Sequence, residues 1–313
     1  MFNRSPRPGW MAIDLQPRSV RVAHLVRGRA GRARVALLRE FERAGSDAED
    51  LLRVRKAVGV AGLRCTTALD AGAYHVVQLA APAVPAAEAK QALRWAVKDS
   101  IDFGAEEAIV DSMPIPADGT RVGRPAQIIA VAARRERVRA RMQAFESAGV
   151  KLAAIDVAEV AQRNLGALYE QPDRGLAFLA FDEQRGLLTF TRNGELYALR
   201  HIEVGTRALA GDSPAAPRQS LLERITLELQ RSLDNFDRQF SQVALQRLVV
   251  APFAGRDALV AGLQDMLSVP VEAAELDDAL DFDGSSDGAL AGDALQAAWL
   301  PALGLALRQE GAP

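Results

Sequence analysis

The stretch MAIDLQPRSVRVAHL, from Met11 to Leu25, carries the strongest fold signal in the chain. Its order of residues predicts a strand, a tight turn over Gln16-Pro17-Arg18 and a second strand, with Asp14 before the turn and Ser19 after it. An acid and a hydroxyl around a hairpin are typical of a turn that holds phosphate through backbone N–H groups. Proline has no such group to donate, so the same turn predicts a weakened phosphate cradle.

Composition limits the possible functions. The chain has 313 residues, of which 49% are hydrophobic and 25% charged, enough for two domains with a sizeable core. Its 38 Lys and Arg against 40 Asp and Glu give a net charge of -2, so no general attraction to nucleic acid is expected. The single cysteine, Cys65, cannot form an internal disulfide, which favours a reducing compartment and therefore the cytoplasm.

No membrane span is expected either. The longest uncharged stretch, over residues 71–87, is interrupted by His75, Gln78, Pro82 and Pro85. A spanning helix needs about 20 mainly apolar residues in succession. Any association with a membrane would therefore go through a partner.

The first half predicts a meander, a helix and an insertion. A third strand over 35–41 and a helix over 47–58 follow the hairpin, and the Pro-bounded AAPAVP precedes a helix from about 86 to 101. Ala89, Leu93, Val97 and Ile101 form the buried stripe of that helix. Trp95 lies on the other face, where it either packs under a neighbouring element or is an exposed anchor for a partner.

An arginine-rich helix over 134–148 follows two further strands. Val138, Met142 and Phe145 are expected to form its buried stripe, so its arginines are expected to form a solvated face, with a phosphate or lipid surface as the alternative. The second half of the sequence predicts another meander, with Asn193-Gly194 as a hairpin turn. A long helix and a last helix near the C-terminus follow it. Residues 272–293 carry eight acids and no Lys or Arg, which predicts a solvated loop.

A meander and a helix in each half, with an insertion in the first, are typical of duplicated actin-like folds. Several stretches resemble the type IV pilus assembly protein PilM, and the resemblance covers nearly the whole chain. It is closest to MshI, the PilM-like protein of MSHA-type pilus systems, and extends to the cytoplasmic part of the secretion protein GspL. The stretches are AIDLQPRSVRVAHL, VVQLAAPAVPAAEAKQALRWAVKDSIDFGAEEAIVDSMPI, IIAVAARRERVRARMQAFESAGVKLAAIDVAEVAQRNL, ERITLELQRSLDNFDRQF and ALGLALR.

The resemblance implies a mixed α/β, duplicated actin-like (ribonuclease H-like) fold of two lobes. The first lobe would cover 10–172, with an inserted α/β subdomain at about 81–150. The second would cover 173–294, and a C-terminal helix within 295–313 would pack back on the core.

An actin-like ATPase uses two phosphate turns and acids that organise Mg²⁺. By resemblance the nucleotide site would be degenerate. In the first turn Gln16 stands where the family has glycine, and in the second turn Glu183 follows Asp182, so the first glycine comes only at Gly186. Pro252-Phe253 would leave less room for adenosine. No catalytic residue, metal site or cofactor is expected, the alternative being an ATPase or nucleotide switch that binds ATP with Mg²⁺. His24, His75 and His201 lack metal-ligand spacing. The candidate nucleotide contacts are Asp14, Gln16, Ser19, Asp182 and Gly186.

PilM-like proteins receive the short N-terminal tail of a bitopic inner-membrane partner between the first lobe and its insert. The resemblance therefore implies a scaffold that binds the tail of a PilN- or MshJ-like protein, with self-assembly open. The candidate partner contacts are Trp95, Ile101 and Phe103.

Overall fold

The structure, a computed structural model, describes residues 9–28, 31–117, 125–211, 218–282, 290 and 292–309. The strands are β1 Trp10–Leu15, β2 Ser19–Arg27, β3 Ala33–Glu42, β4 Arg64–Ala68, β5 Tyr74–Ala80, β6 Ala108–Pro114, β7 Gln127–Arg134, β8 Leu152–Asp156, β9 Gly175–Phe181, β10 Gly186–Arg192, β11 Glu195–Ile202, β12 Leu245–Val250, β13 Val271–Ala273 and β14 Leu280–Phe282. The helices are α1 Asp47–Val58, α2 Ala86–Ala96, α3 Arg135–Ser147, α4 Ala158–Gly166, α5 Thr206–Leu209, α6 Arg218–Gln239, α7 Arg256–Gln264, α8 Leu276–Ala279 and α9 Asp293–Ala306.

The strands form three sheets. A six-stranded sheet has the order β14-β3-β2-β1-β4-β8, a five-stranded sheet the order β11-β10-β9-β12-β13, and a three-stranded sheet the order β5-β7-β6. In each of the larger sheets, three consecutive strands lie side by side and parallel strands extend the sheet, such as β8 beside β4 and β12 beside β9. The predicted meander is therefore present in both halves of the chain.

The chain divides into two compact units. The first contains residues 13–20 and 41–158, and the second contains residues 21–40 and most of the chain after Glu159.

In the first unit, α1 confirms the predicted helix over 47–58, and α2 begins where predicted but ends at Ala96, so Ile101 lies beyond the helix. A reciprocal capping box between Ser46 and Glu49 starts α1, and Gly59 in the left-handed conformation ends it. The α2 helix covers one face of the three-stranded sheet. The core between them contains Leu93, Val97, Ala108, Val110, Ile128, Ala130 and Ala132.

The predicted buried stripe of α3 is wrong at Met142, which is 54% exposed. Arg141 takes its place, since it is 5% exposed and lies three residues after Val138 and four before Phe145. Its guanidinium is 2.8 Å from the carboxylate of Asp70. A paired arginine can be buried, and here the pair lets a charged residue occupy a core position.

In the second unit, the predicted hairpin turn is confirmed. Asn193 and Gly194 both have positive φ, and they join β10 to β11. Phe190 of β10 stacks on Phe236 of α6 with their ring centroids 4.4 Å apart. The long helix thus packs its apolar face on the five-stranded sheet.

The prediction of a solvated loop over 272–293 is wrong for its first part, which contains strand and helix, while 283–289 lie outside the described residues. Arg256 is 5% exposed. Its guanidinium donates to the carbonyl of Ala274 at 2.6 Å and to the carboxylate of Glu275 at 2.9 Å. Leu276 and Leu280 are buried. Neighbouring arginine therefore allows this acidic segment to fold.

Candidate functional site

The first candidate phosphate turn is closed by its own side chains. Asp14 is 3% exposed, and the amide nitrogen of Gln16 lies 3.0 Å from one of its carboxylate oxygens and 2.9 Å from the other. The backbone N–H of Gln16 donates to the carbonyl of Ser19 at 2.9 Å. An acid that organises Mg²⁺ or water must direct an oxygen at it, whereas both oxygens of Asp14 accept from Gln16.

Arg43 fixes the same turn from the strand-to-helix connection that precedes α1. Its backbone N–H donates to the carbonyl of Arg18 at 3.1 Å, and its guanidinium reaches the carbonyl of Gln16 at 3.5 Å. The guanidinium also pairs with the buried carboxylate of Asp50 at 2.5 Å, and Arg53 binds the other oxygen. Arg43 therefore binds the backbone of the turn at two residues and connects the turn to the buried Asp50.

Burial of Asp50 disfavours its ionised form, but hydrogen bonds from Arg53 and the Ala44 N–H, together with the charge of Arg43, outweigh burial and lower the pKa. Sequence reasoning missed Arg43 and Asp50. The sequence shows Asp50 only as an acid in the first turn of a capped helix. An acid at that position usually stabilises the helix and has no other role.

The second candidate turn, after β9, is also satisfied internally. One carboxylate oxygen of Asp182 accepts from the backbone N–H of Gln184 at 2.6 Å and of Arg185 at 2.7 Å. Glu183 pairs with Arg207 at 3.0 Å. Backbone N–H groups in such a turn are the donors that a phosphate would need, and here a carboxylate of the chain occupies two of them.

Two glycines beside this turn are explained by packing. Gly186 begins β10, and a Cβ atom there would lie 2.8 Å from the ring of Phe181. A Cβ atom at Gly205 would lie 2.3 Å from the backbone of Gln184. Both positions need glycine for close approach, whether or not a nucleotide binds.

A cleft of about 200 Å³ lies in the second unit between α6 and the start of α7. Phe253, which the sequence suggested would crowd an adenosine site, is 2% exposed and packs edge-on against Phe181 at 5.2 Å between ring centroids. Its ring therefore forms a wall of the cleft without filling it. The other lining residues are Leu209, Gln219, Leu222, Ala254, Gly255, Ala258 and Leu259.

Other candidate chemistry is structural. His201 lies 3.3 Å from the buried carboxylate of Glu159. Cys65 is buried, and burial raises the pKa of its thiol to about 11. Within the described residues, no group of three or more His, Cys, Asp or Glu side chains could hold a metal ion.

The predicted partner contacts differ in exposure. Trp95 is 60% exposed on α2, so it does not lie under a neighbouring element. Ile101 and Phe103 are partly buried and pack against the core beneath α2. Of the three, only Trp95 presents most of its side chain for contact in the structure as it stands.

The three-stranded sheet has a second face, opposite α2, that the sequence did not reveal. Val76 and Val131 are directly paired across β5 and β7, and Ile109 and Met113 lie on the same face of β6. Ile109 is 36% exposed, and the other three are half-buried. We call these four residues the open sheet face.

Ile129 and Ala133 of β7 lie on the same face and are buried, and the exposed polar residues Gln78 and Asp111 also lie on it. β7 is apolar on both faces over residues 128–133, and β5 carries one polar residue on each face, His75 and Gln78, so no alternation of polar and apolar residues marked this face.

No model of a known protein family and no curated protein matches the chain. Among solved structures, a chain of the PilM–PilN type IV pilus biogenesis complex matches with a TM-score of 0.70 and 22% identity, over 96% of this chain and 98% of that one. The chain has a PilM-like actin fold. The predicted fold class, a mixed α/β actin-like fold, is thereby confirmed.

Two further structures are less similar to this PilM-like chain. The cytoplasmic domain of EpsL from the type II secretion system of Vibrio cholerae matches at 14% identity and a TM-score of 0.43, over 66% of this chain and 75% of that one. A Bacteroides thetaiotaomicron protein with an actin-like ATPase fold matches at 9% identity and a TM-score of 0.48, over 88% of this chain and 93% of that one. Among the described residues, no helix combines the length and apolar character of a membrane span.

Proposed function

We propose that the chain is a non-catalytic, actin-fold scaffold of a pilus or related secretion machine, and that it binds the N-terminal tail of a bitopic inner-membrane partner of the PilN or MshJ type. The observation that carries the proposal is the closed first turn, in which Gln16 occupies both carboxylate oxygens of Asp14. The likeness to a chain of the PilM–PilN complex supports the choice of machine.

Hydrolysis of ATP requires free backbone donors and an acid directed at metal or water. In the first turn, Pro17 has no N–H and Asp14 accepts from Gln16. In the second turn, Asp182 occupies the N–H groups of Gln184 and Arg185. Binding phosphate would require breaking these contacts at each turn, which supports a role without catalysis.

The open sheet face supports a binding role. Ile109 is 36% exposed and Val76, Met113 and Val131 are half-buried on this face, and β6 forms one edge of the sheet. An extended apolar tail can add main-chain hydrogen bonds at such an edge and place alternate side chains on such a face. The predicted tail contacts Trp95, Ile101 and Phe103 lie on the α2 side of the same sheet, and they remain candidate contacts for the tail or for neighbouring copies of the chain. The scaffold would work in the cytoplasm and be held at the inner membrane by its partner.

The test is binding of fluorescent synthetic N-terminal tails from the bitopic membrane proteins of the source organism. Ile109→Lys places a charge on the open sheet face and should weaken capture of the best tail at least tenfold. Leu227→Lys is the matched control, since Ile109 and Leu227 are both exposed apolar residues, at 36% and 46%, but Leu227 lies on α6. Equal capture by wild type and Ile109→Lys, with both folded by circular dichroism, would contradict this placement of the tail.

A second candidate is a nucleotide-switched assembly protein. The cleft beside Leu222 and Phe253 favours it, because an apolar cleft next to a helix start could hold a planar base. This function predicts that Mg²⁺-ATP raises the melting temperature and that Leu222→Trp, which would fill the cleft, removes the shift.

A further inference from the structure

The two edges of the three-stranded sheet differ in the main-chain groups that they leave available. β7 is the central strand, with β5 on one side and β6 on the other. In an antiparallel pair, alternate residues direct their N–H and C=O groups at the neighbouring strand, and the residues between them direct these groups away from it. The registers of β5 and β6 against β7 therefore identify the outward groups of each edge.

Two hydrogen bonds at the ends of the strands fix which residues point outward. The N–H of Ile115 donates to the carbonyl of Gln127 at 2.9 Å, so the even-numbered residues of β6 direct their main-chain groups away from β7. The N–H of Arg134 donates to the carbonyl of Ala73 at 3.1 Å, so the even-numbered residues of β5 direct theirs away from β7 on the other side.

The β6 edge is partly closed by residues of the chain itself. The N–H of Ser112 donates to the carboxylate of Asp111 at 2.9 Å, and Pro114 has no N–H. The guanidinium of Arg135 reaches the carbonyl of Ala108 at 3.5 Å. Charged side chains and proline at an edge are common means by which proteins prevent unwanted strand pairing. A tail at this edge would therefore depend mainly on the side chains of the open sheet face.

The β5 edge lacks this protection. Val76, Gln78 and Ala80 direct their N–H and C=O groups outward, and no other group in the described part of the chain binds them. Gln78 and Ala80 are exposed and Val76 is half-buried, whereas Tyr74 at the start of the strand is buried. The accessible edge thus has three outward residues, and residues 76–80 carry no charge.

We propose that two copies of the chain pair antiparallel through β5 and join their three-stranded sheets into one sheet of six strands. The register that uses all three outward residues of both copies places Gln78 opposite Gln78 and Val76 opposite Ala80. A second copy fits this edge because the amides of the two Gln78 side chains can hydrogen-bond to each other and no like charges meet. An uncharged edge has no group that selects a basic or acidic partner, whereas it matches itself at every position.

The pairing does not depend on the proposed function, because the tail is assigned to β6 and the open sheet face. A main-chain pairing this short is smaller than a standard interface of roughly 1,600 Å², so we expect a weak dimer that forms at high protein concentration. The isolated full chain tests it without a partner, so failure of the dimer and failure of tail binding are separate results.

Sedimentation velocity of the full chain between about 10 and about 500 μM measures the association. We expect wild type to shift from monomer to dimer over this range. Gln78→Pro removes one outward N–H without breaking a bond to β7, and it should weaken association at least tenfold. Ser112→Pro is the matched control, since it removes an outward N–H from the β6 edge and should leave association unchanged.

Cross-linking tests the register. Gln78→Cys should give a disulfide-linked dimer on mild oxidation, because directly opposed residues bring their Cα atoms to about 5.5 Å. The native Cys65 is buried, and Ser112→Cys, at an exposed position of the β6 edge, is the control that should stay monomeric.

Wild type that stays monomeric over the whole range would overturn the proposal, and weaker tail capture by Gln78→Pro would then assign the β5 edge to the tail. Equal association of wild type and folded Gln78→Pro, or equal cross-linking of the two cysteine variants, would also overturn it.

Discussion

The amide of Gln16 donates to both carboxylate oxygens of Asp14, at 3.0 and 2.9 Å, and so joins a buried acid near the end of β1 to the turn that follows this strand. This contact holds the side chains of the turn together within the fold. Its loss should therefore be measurable as loss of stability.

Gln16→Ala should lower the free energy of unfolding by about 1.5–3 kcal/mol, the range for hydrogen bonds to a buried charge. Urea denaturation measures the change. Gln91→Ala, an exposed glutamine on α2, is the control and should change stability by less than about 0.5 kcal/mol. Equal effects of the two substitutions would mean that the Gln16 contact contributes no stability.

Arg43→Met should lower stability by about 1.5–3 kcal/mol, the range for a hydrogen bond to a charged group, because it leaves the buried carboxylate of Asp50 with one guanidinium partner in place of two. It should also loosen the first turn, since Arg43 binds the carbonyl groups of Gln16 and Arg18. Thermal melts of a second variant, Arg137→Met, which removes an exposed arginine of α3, separate this effect from simple loss of charge.

The lowered pKa of Asp50 predicts an acid-dependent loss of stability. A carboxyl whose pKa is lower in the folded state contributes stability above its ordinary value, about pH 4, and that contribution is lost as pH falls through the lowered value. Comparing melting temperatures from pH 7 to pH 3, we expect the difference between wild type and Asp50→Asn to shrink below about pH 4. A difference that is constant over this range would contradict the assignment.

Gly205→Ala should destabilise the second turn by about 1–3 kcal/mol, because the new Cβ atom would lie 2.3 Å from the backbone of Gln184. Gly166→Ala is the control, since a Cβ atom there would make an ordinary contact of 3.4 Å with Phe178. Urea denaturation of the two variants should differ clearly. If Gly205→Ala is as stable as Gly166→Ala, the close approach is not required.

The two positions on α2 should separate packing from surface contact. Leu93→Ala should cost about 2–5 kcal/mol because Leu93 is buried in the core beneath the helix. Trp95→Ala should leave the free energy of unfolding within about 0.5 kcal/mol, since Trp95 is 60% exposed. A large loss on removing Trp95 would indicate that its ring supports the fold.

Hydrophobic periodicity and turn residues predicted most of the helices and strands, because these elements depend on residues that are close together along the chain. The hairpin at Asn193 and the capped helix α1 follow from local signals alone. The buried position of Arg141 does not, because it depends on Asp70, which is distant in sequence. The acidic segment after Val271 folds for the same reason, through Arg256.

The candidate site was predictable only in part. The missing N–H of Pro17 can be read from the sequence, but the hydrogen bonds from Gln16 to Asp14 and from two backbone N–H groups to Asp182 depend on geometry. The partner contact predicted at Phe103 depends on an exposed side chain, whereas the ring of Phe103 packs against side chains of two separate strands, His75 and Arg134.

Isothermal titration with Mg²⁺-ATP tests the central claim most directly. Because both turns are closed by the chain's own side chains, we predict no heat at about 1 mM nucleotide, which corresponds to binding weaker than about -4 kcal/mol. Micromolar binding that is lost in Asp14→Ala would contradict the scaffold proposal and favour a nucleotide-switched assembly protein.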